Sequence, residues 1–120
     1  MSKLLIVDDE IEMREAAKRF FSRRNIDVMT ASGGKDALKI IDEQKPNLVL
    51  LDVHMAEMTG IDVLKKLRAQ GNKIKVIMVS GETDPDVINE ANKCGVRSFI
   101  HKPLILEDLG RAVIEELNNV

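Results

Sequence analysis

The sequence predicts an α/β fold: a doubly wound, five-stranded parallel sheet with helices on both faces, built as (βα)5. Three observations carry this. Short apolar runs and stretches of helical spacing alternate from end to end of the 120 residues. Three of the five runs are apolar without alternation, as strands covered on both faces must be. Cap and stop residues punctuate the helical stretches, and strand–helix–strand repetition forces right-handed crossovers in one sheet.

The first strand is Leu4-Leu5-Ile6-Val7, and Met13, Ala16, Ala17 and Phe20 form the apolar stripe of the helix after it. Asp27-Val28-Met29-Thr30 is more polar and reads as an edge strand, followed by a helix carrying Ala37, Ile40 and Ile41. Leu48-Val49-Leu50-Leu51 is the third strand. The third helix opens on the capping-box pattern Thr59-Gly60-Ile61-Asp62, buries Gly60, Val63, Leu64 and Leu67, and stops at Gly71. After the strand Val76-Ile77-Met78-Val79, Asp84-Pro85 supplies an N-cap and a first helical proline. That helix presents Val87, Ile88 and Ala91 and ends by Gly95. Ser98-Phe99-Ile100 is the last strand, and Leu106, Leu109, Gly110 and Val113 are the stripe of the last helix.

Length fits one domain spanning residues 1–120. Apolar residues are 44% and charged residues 32%, the balance of a folded globular chain, and with three Phe and no Trp or Tyr the core rests on aliphatic side chains. A net charge of -2 argues against a nucleic-acid partner, which needs a basic face. The single cysteine, Cys94, allows no intrachain disulfide and fits a reducing compartment. No apolar run reaches the length of a signal or membrane segment, so a cytoplasmic location without membrane contact is expected.

In open parallel sheets, ligands gather outside the carboxyl ends of the strands. Asp8 and Asp9, with Glu10 following, end the first strand; Asp52 ends the third, Ser80-Gly81 the fourth and Lys102-Pro103 the fifth. Each has an ordinary reading alone: Asp9 or Glu10 as a turn or N-cap residue, Lys102 as a solvated loop residue, Ser80 as a local backbone partner. Together they put three carboxylates, a hydroxyl and an ammonium on one rim. Crowded aspartates repel and raise one another's pKa unless a cation intervenes. Mg²⁺ suits few carboxylates with open water positions, and Mn²⁺ accepts the same oxygens. A phosphoryl group completes the set, with Asp52 as nucleophile and Lys102 and Ser80 on its oxygens.

Val7-Asp8-Asp9-Glu10, Leu50-Leu51-Asp52-Val53-His54-Met55 with Gly60 eight residues past the aspartate, Val79-Ser80-Gly81 and Phe99-Ile100-His101-Lys102-Pro103 resemble the receiver domain of two-component response regulators, the CheY-like fold. The resemblance runs from about Lys3 to Asn118. It implies strand order 2-1-3-4-5, Asp52 as phosphoacceptor, and Mg²⁺ held by Asp8, Asp9, Asp52 and the backbone carbonyl of His54. It implies that Ser80 reorients towards the phosphoryl group, that Phe99 rotates behind it, that Lys102 pairs with phosphoryl oxygens and that the Lys102-Pro103 bond is cis. Phe99 also reads as an ordinary strand core residue. His54 and Glu82 border the site in the family and influence the lifetime of the phosphoryl group. His54 reads equally as a solvated loop residue, and His101 as a filler of the last strand.

The chain departs from the family pattern in two places. Ala56 stands where Pro is frequent, which frees the loop and costs about 0.4–1 kcal/mol of pre-organisation. Ile105 stands where a capping Ser, Thr or Asp is usual; the helix stripe claims Leu106 for the core and Leu104 is expected beneath Pro103, which leaves Ile105 as the residue expected to face outward. Gly110 inside the last helix costs roughly 1 kcal/mol against Ala and suggests close packing.

The expected function is therefore a phosphorylation-activated switch with a sensor histidine kinase or histidine phosphotransfer protein as donor, and no separate turnover substrate. The chain ends with its fifth helix and reads as a stand-alone receiver domain or as one excised from a larger regulator. Its output is expected through protein contact at the helix 4–strand 5–helix 5 surface, through relay, or through a homodimer formed on phosphorylation. Two other readings stand beside it. A receiver-shaped binding module independent of phosphate would need none of Asp8, Asp9, Asp52, Ser80 and Lys102. A hydrolase of the haloacid-dehalogenase type, another Mg²⁺-dependent user of aspartyl phosphate, wants Asp-x-Asp where this chain has Asp8-Asp9-Glu10. A P-loop is excluded by the lack of a Gly-rich run ending in Gly-Lys-Ser/Thr.

Overall fold

The computed structural model describes residues 2–81 and 84–118. Strands and helices alternate as the apolar pattern requires: β1 (Lys3–Val7), α1 (Ile11–Ser22), β2 (Asp27–Ala31), α2 (Gly34–Gln44), β3 (Leu48–Asp52), α3 (Gly60–Ala69), β4 (Lys75–Ser80), α4 (Pro85–Lys93), β5 (Ser98–His101) and α5 (Leu106–Asn118). All pairings are parallel and the strand order is β2-β1-β3-β4-β5. The polar second run lies at an edge, as its composition indicated. Among the described residues, no helix is long and apolar enough to cross a membrane.

Alternation along the strands divides the core in two. Leu5, Val7, Val49, Leu51, Val76 and Met78 face α2, α3 and α4, where they meet Ala37, Ile41, Val63, Leu64, Leu67 and Ala91. Leu4, Ile6, Leu48, Leu50, Ile77 and Val79 face α1 and α5, where they meet Ala17, Phe21, Leu109 and Val113. The fully buried aromatic on α1 is Phe21, one position past the stripe read from sequence. Phe20 packs on α5 instead: a Cβ added at Gly110 would stand 2.7 Å from its Cε1. That contact is the physical reason for a glycine inside α5.

The caps behave as their chemistry dictates. Thr59 and Asp62 form a reciprocal capping box at α3, with Asp62 N–H donating to Thr59 Oγ1 at 3.2 Å and Thr59 N–H to Asp62 Oδ2 at 3.1 Å. Asp84 caps α4 by accepting from Asp86 N–H at 2.9 Å, with Pro85 in the first turn. Gly71 and Gly95 follow α3 and α4 at φ 78° and 74°, the left-handed geometry that favours glycine. Both ends close with paired Schellman bonds, Gly71 to Arg68 and Asn72 to Leu67, then Gly95 to Asn92 and Val96 to Ala91.

Arg68 ties these two helix ends together. Its Nε donates to the Cys94 carbonyl at 2.6 Å, and its Nη1 to the carbonyls of Asn72 at 3.0 Å and Ile74 at 2.9 Å.

Candidate functional site

The site forms where β1, β3, β4 and β5 end on the same rim. Asp8, Asp52 and Ser80 are the buried polar side chains of the described core, 3%, 4% and 0% exposed. Asp8 follows β1 directly, and its N–H donates to the Ala31 carbonyl at 3.2 Å, so β2 holds it beyond the strand end. Its Oδ1 accepts from Glu10 N–H at 2.9 Å, and Arg14 Nη1 donates to its carbonyl at 2.7 Å. Asp52 closes β3, and its Oδ1 accepts from His54 N–H at 3.4 Å.

The loop after Asp52 is fixed by a close approach. Gly60 N–H donates to the Val53 carbonyl at 2.8 Å, and a Cβ at residue 60 would stand 2.2 Å from the Asp52 carbonyl oxygen. Only glycine lets α3 start there. Between these anchors, Met58 N–H donates to the Ala56 carbonyl at 2.7 Å with Glu57 at φ 68°, a tight turn around a left-handed residue.

Lys102 brings the rim together. Its Nζ lies 3.6 Å from Asp8 Oδ2, 3.7 Å from Glu10 Oε1 and 3.7 Å from Asp52 Oδ2. Its backbone N–H donates to the Ser80 carbonyl at 2.9 Å, and the Lys102-Pro103 bond is cis. Burial lowers the ammonium's pKa, but the Asp52, Asp8 and Glu10 carboxylates outweigh it and hold the group above its usual value. Asp52 moves the other way from an ordinary carboxylate. Burial, then the Asp8 charge, push it up to about 6, with a smaller push from Asp9; Lys102 and the His54 N–H pull it down without compensating. One ammonium does not neutralise this rim.

Asp8, Asp9 and Glu10 can each place a carboxylate oxygen within 4.8 Å of the others. This group includes Glu10 and does not include Asp52, which meets Asp8 through Lys102. Sequence reasoning gave Glu10 an ordinary capping role. It does occupy the N-cap position of α1, but its side chain makes no cap bond and reaches Lys102. The signal available was the third acid in succession.

The other expected residues surround this centre. Ser80 is fully buried at the end of β4, beside His101 in the register. Phe99 is half-buried against the α3–α4 side of the core. The His54 side chain is exposed on the loop after β3. Pro103 is exposed next to Lys102. Glu82 lies outside the described residues.

Comparison with known proteins agrees with this fold. The response regulator receiver domain family matches residues 4–114. The Chemotaxis protein CheY of Listeria monocytogenes is 38% identical over 117 residues, covering 93% of this chain and 98% of the relative. The Sporulation initiation phosphotransferase F of Bacillus subtilis is 32% identical over 111 residues, covering 92% and 90%. A CheY-like receiver domain protein from Methanospirillum hungatei superposes with a TM-score of 0.94 at 26% identity, covering 99% of this chain and 95% of that one. A rim of buried acids answered by one lysine, on a sheet of this order and with these relatives, identifies the chain as a member of the response regulator receiver domain family.

Proposed function

We propose that the chain is a phosphorylation-activated switch whose acceptor is Asp52. The observation that carries this reading is the buried Asp52 carboxylate, crowded by Asp8 and faced by a single ammonium. In the proposed step an Asp52 oxygen attacks phosphorus of a phosphohistidine. The P–N bond breaks, its electron pair stays on the imidazole nitrogen, and that nitrogen takes up a proton. The product is an acyl phosphate. With a pKa of about 6, Asp52 is mostly ionised at pH 7 and available as nucleophile.

The donor set fits a hard divalent cation: oxygen ligands only, gathered closely and in excess of the positive charge present. Asp8, Asp9, Asp52 and the His54 carbonyl would hold Mg²⁺, with Mn²⁺ able to replace it, and Glu10 stands within reach of the same group. When bound, the cation neutralises phosphoryl oxygens. Lys102 supplies the second positive charge, and Ser80 turns its hydroxyl to a phosphoryl oxygen, making room for Phe99 to follow. His54 and Glu82 border the phosphoryl group and tune its lifetime.

The donor is a sensor histidine kinase or a histidine phosphotransfer protein in the cytoplasm. The output runs through the α4–β5–α5 surface to a protein target or to a second copy. Intact-mass measurement after incubation with Mg²⁺ and acetyl phosphate tests the acceptor. The chain should gain one phosphoryl mass and Asp52→Asn none. A variant that still gains it at the original rate overturns the assignment, and a native chain that never gains it favours a phosphate-independent binding module.

A further inference from the structure

Phe99 is enclosed less completely than the strand it pairs with. It belongs to an edge strand and is half-buried, whereas Met78, its register partner on β4, is wholly buried. Residues two apart on a strand share a face. His101 accordingly stands on the same side, and the two rings lie 5.2 Å apart between centroids at an interplanar angle of 43°. The separation falls within the range of favourable ring pairs, and the tilt lies between stacked and edge-to-face. The register that places Phe99 beside Met78 places His101 beside Ser80. His101, itself exposed, thus stands beside Ser80 in the backbone register and against Phe99 through its ring, the two residues that the proposed switch moves.

We infer that His101 is a positioning residue: its ring, packed on Phe99, holds Phe99 in the half-buried position that precedes switching. The inference rests on the switch reading of Ser80 and Phe99 and adds a residue that acts on it. Phe99 has no phenolic hydroxyl to anchor either of its positions, so packing holds it, by the core on one side and the His101 ring on another. A ligand shifts a two-state equilibrium against whatever stabilises the starting state. Removing the imidazole lowers that resistance, and a favourable ring pair corresponds to about a two- to tenfold change in the balance.

The chain contains three phenylalanines, Phe20, Phe21 and Phe99, so fluorophenylalanine labelling gives three fluorine NMR signals. Phe99→Leu identifies the one from residue 99. Titrating beryllofluoride, a phosphoryl mimic, at saturating Mg²⁺ then reads the midpoint of the Phe99 transition. His101→Ala should lower that midpoint about two- to tenfold, and His101→Phe, which restores ring on ring, should return it to the native value. An unchanged or raised midpoint in His101→Ala overturns the inference. A native chain whose Phe99 signal does not respond at saturating mimic sinks the switch reading itself, and the role of His101 with it.

Discussion

The two halves of the rim are built differently. At β1 and β3 the chain is tightly held: β3 is buried at every position, β1 at all but its first, and the acids beyond them are fixed by Ala31, Arg14, His54 and the Gly60 approach. At β4–α4–β5 the enclosure loosens. Ala91 is the one buried residue of α4, and β5 has three half-buried positions and one exposed. The contrast matters for a switch. Where the carboxylates sit, they cannot move apart to relieve their repulsion, so relief must come from a cation or from protonation of Asp52. At β4–α4–β5, where the proposed output surface lies, less packing has to be broken for a change of shape.

Four expectations test that contrast, from the largest effect to the smallest. Gly60→Ala should cost on the order of 3 kcal/mol in urea unfolding, because its Cβ meets backbone rather than a movable side chain. A loss below about 1 kcal/mol would show that the β3 side gives way as easily as the other.

Asp52 gives the next effect. Its folded pKa of about 6 lies above the unfolded 3.8, so the folded state binds more protons between those values and stability falls as pH rises through the window. At pH 7 the ionised carboxylate should cost on the order of 2–3 kcal/mol. Asp52→Asn should recover it and flatten unfolding profiles measured from pH 4 to pH 7. A profile in the variant that keeps the native slope would place the titration elsewhere.

Asp9 is exposed and carries no fold contact comparable to those of Asp8. Asp9→Ala should weaken Mg²⁺ binding about tenfold and leave the unfolding midpoint in place. Equal affinities by calorimetric titration would remove Asp9 from the metal set.

Ile105 offers the smallest effect. It is 60% exposed, precedes the first residue of α5, and its carbonyl accepts from Leu109 N–H at 3.0 Å, which makes it the N-cap position. Ile105→Ser should therefore stabilise the domain by about 0.5–1 kcal/mol. A clear destabilisation would mean that the isoleucine contributes packing that its exposure does not suggest.

The sequence made most of this rim legible because a parallel sheet sends every strand end to one side. Once the runs were placed, Asp8, Asp52, Ser80 and Lys102 had nowhere else to go. The cap residues were equally readable, since Thr59, Asp62, Asp84 and the two stop glycines act within a few positions of themselves. What escaped depended on partners distant in the chain. Glu10 looks like a capping acid until Lys102 is seen opposite it. Phe20 and Phe21 both extend the period set by Ala17, and nothing local says that Phe21 takes the core while Phe20 takes Gly110. His101 shows no pattern of its own at the end of an edge strand; its meaning comes from the register with β4.

The clamp formed by Arg68 has a mechanical consequence. It seizes α4 at the carboxyl end, through Cys94, and the Arg97 N–H, donating to the Val76 carbonyl at 2.8 Å, ties the chain just beyond that end to β4. Any reorientation of the helix is then a rotation about that fixed point, and displacement grows with distance from it. Nine residues give a lever of about 13 Å, so a tilt of about 10° moves the amino end by roughly 2 Å while the clamp stays still. The end with the greatest travel is the one that follows Ser80 in the chain, so a small rearrangement beside the proposed phosphoacceptor acts at the far end of the lever.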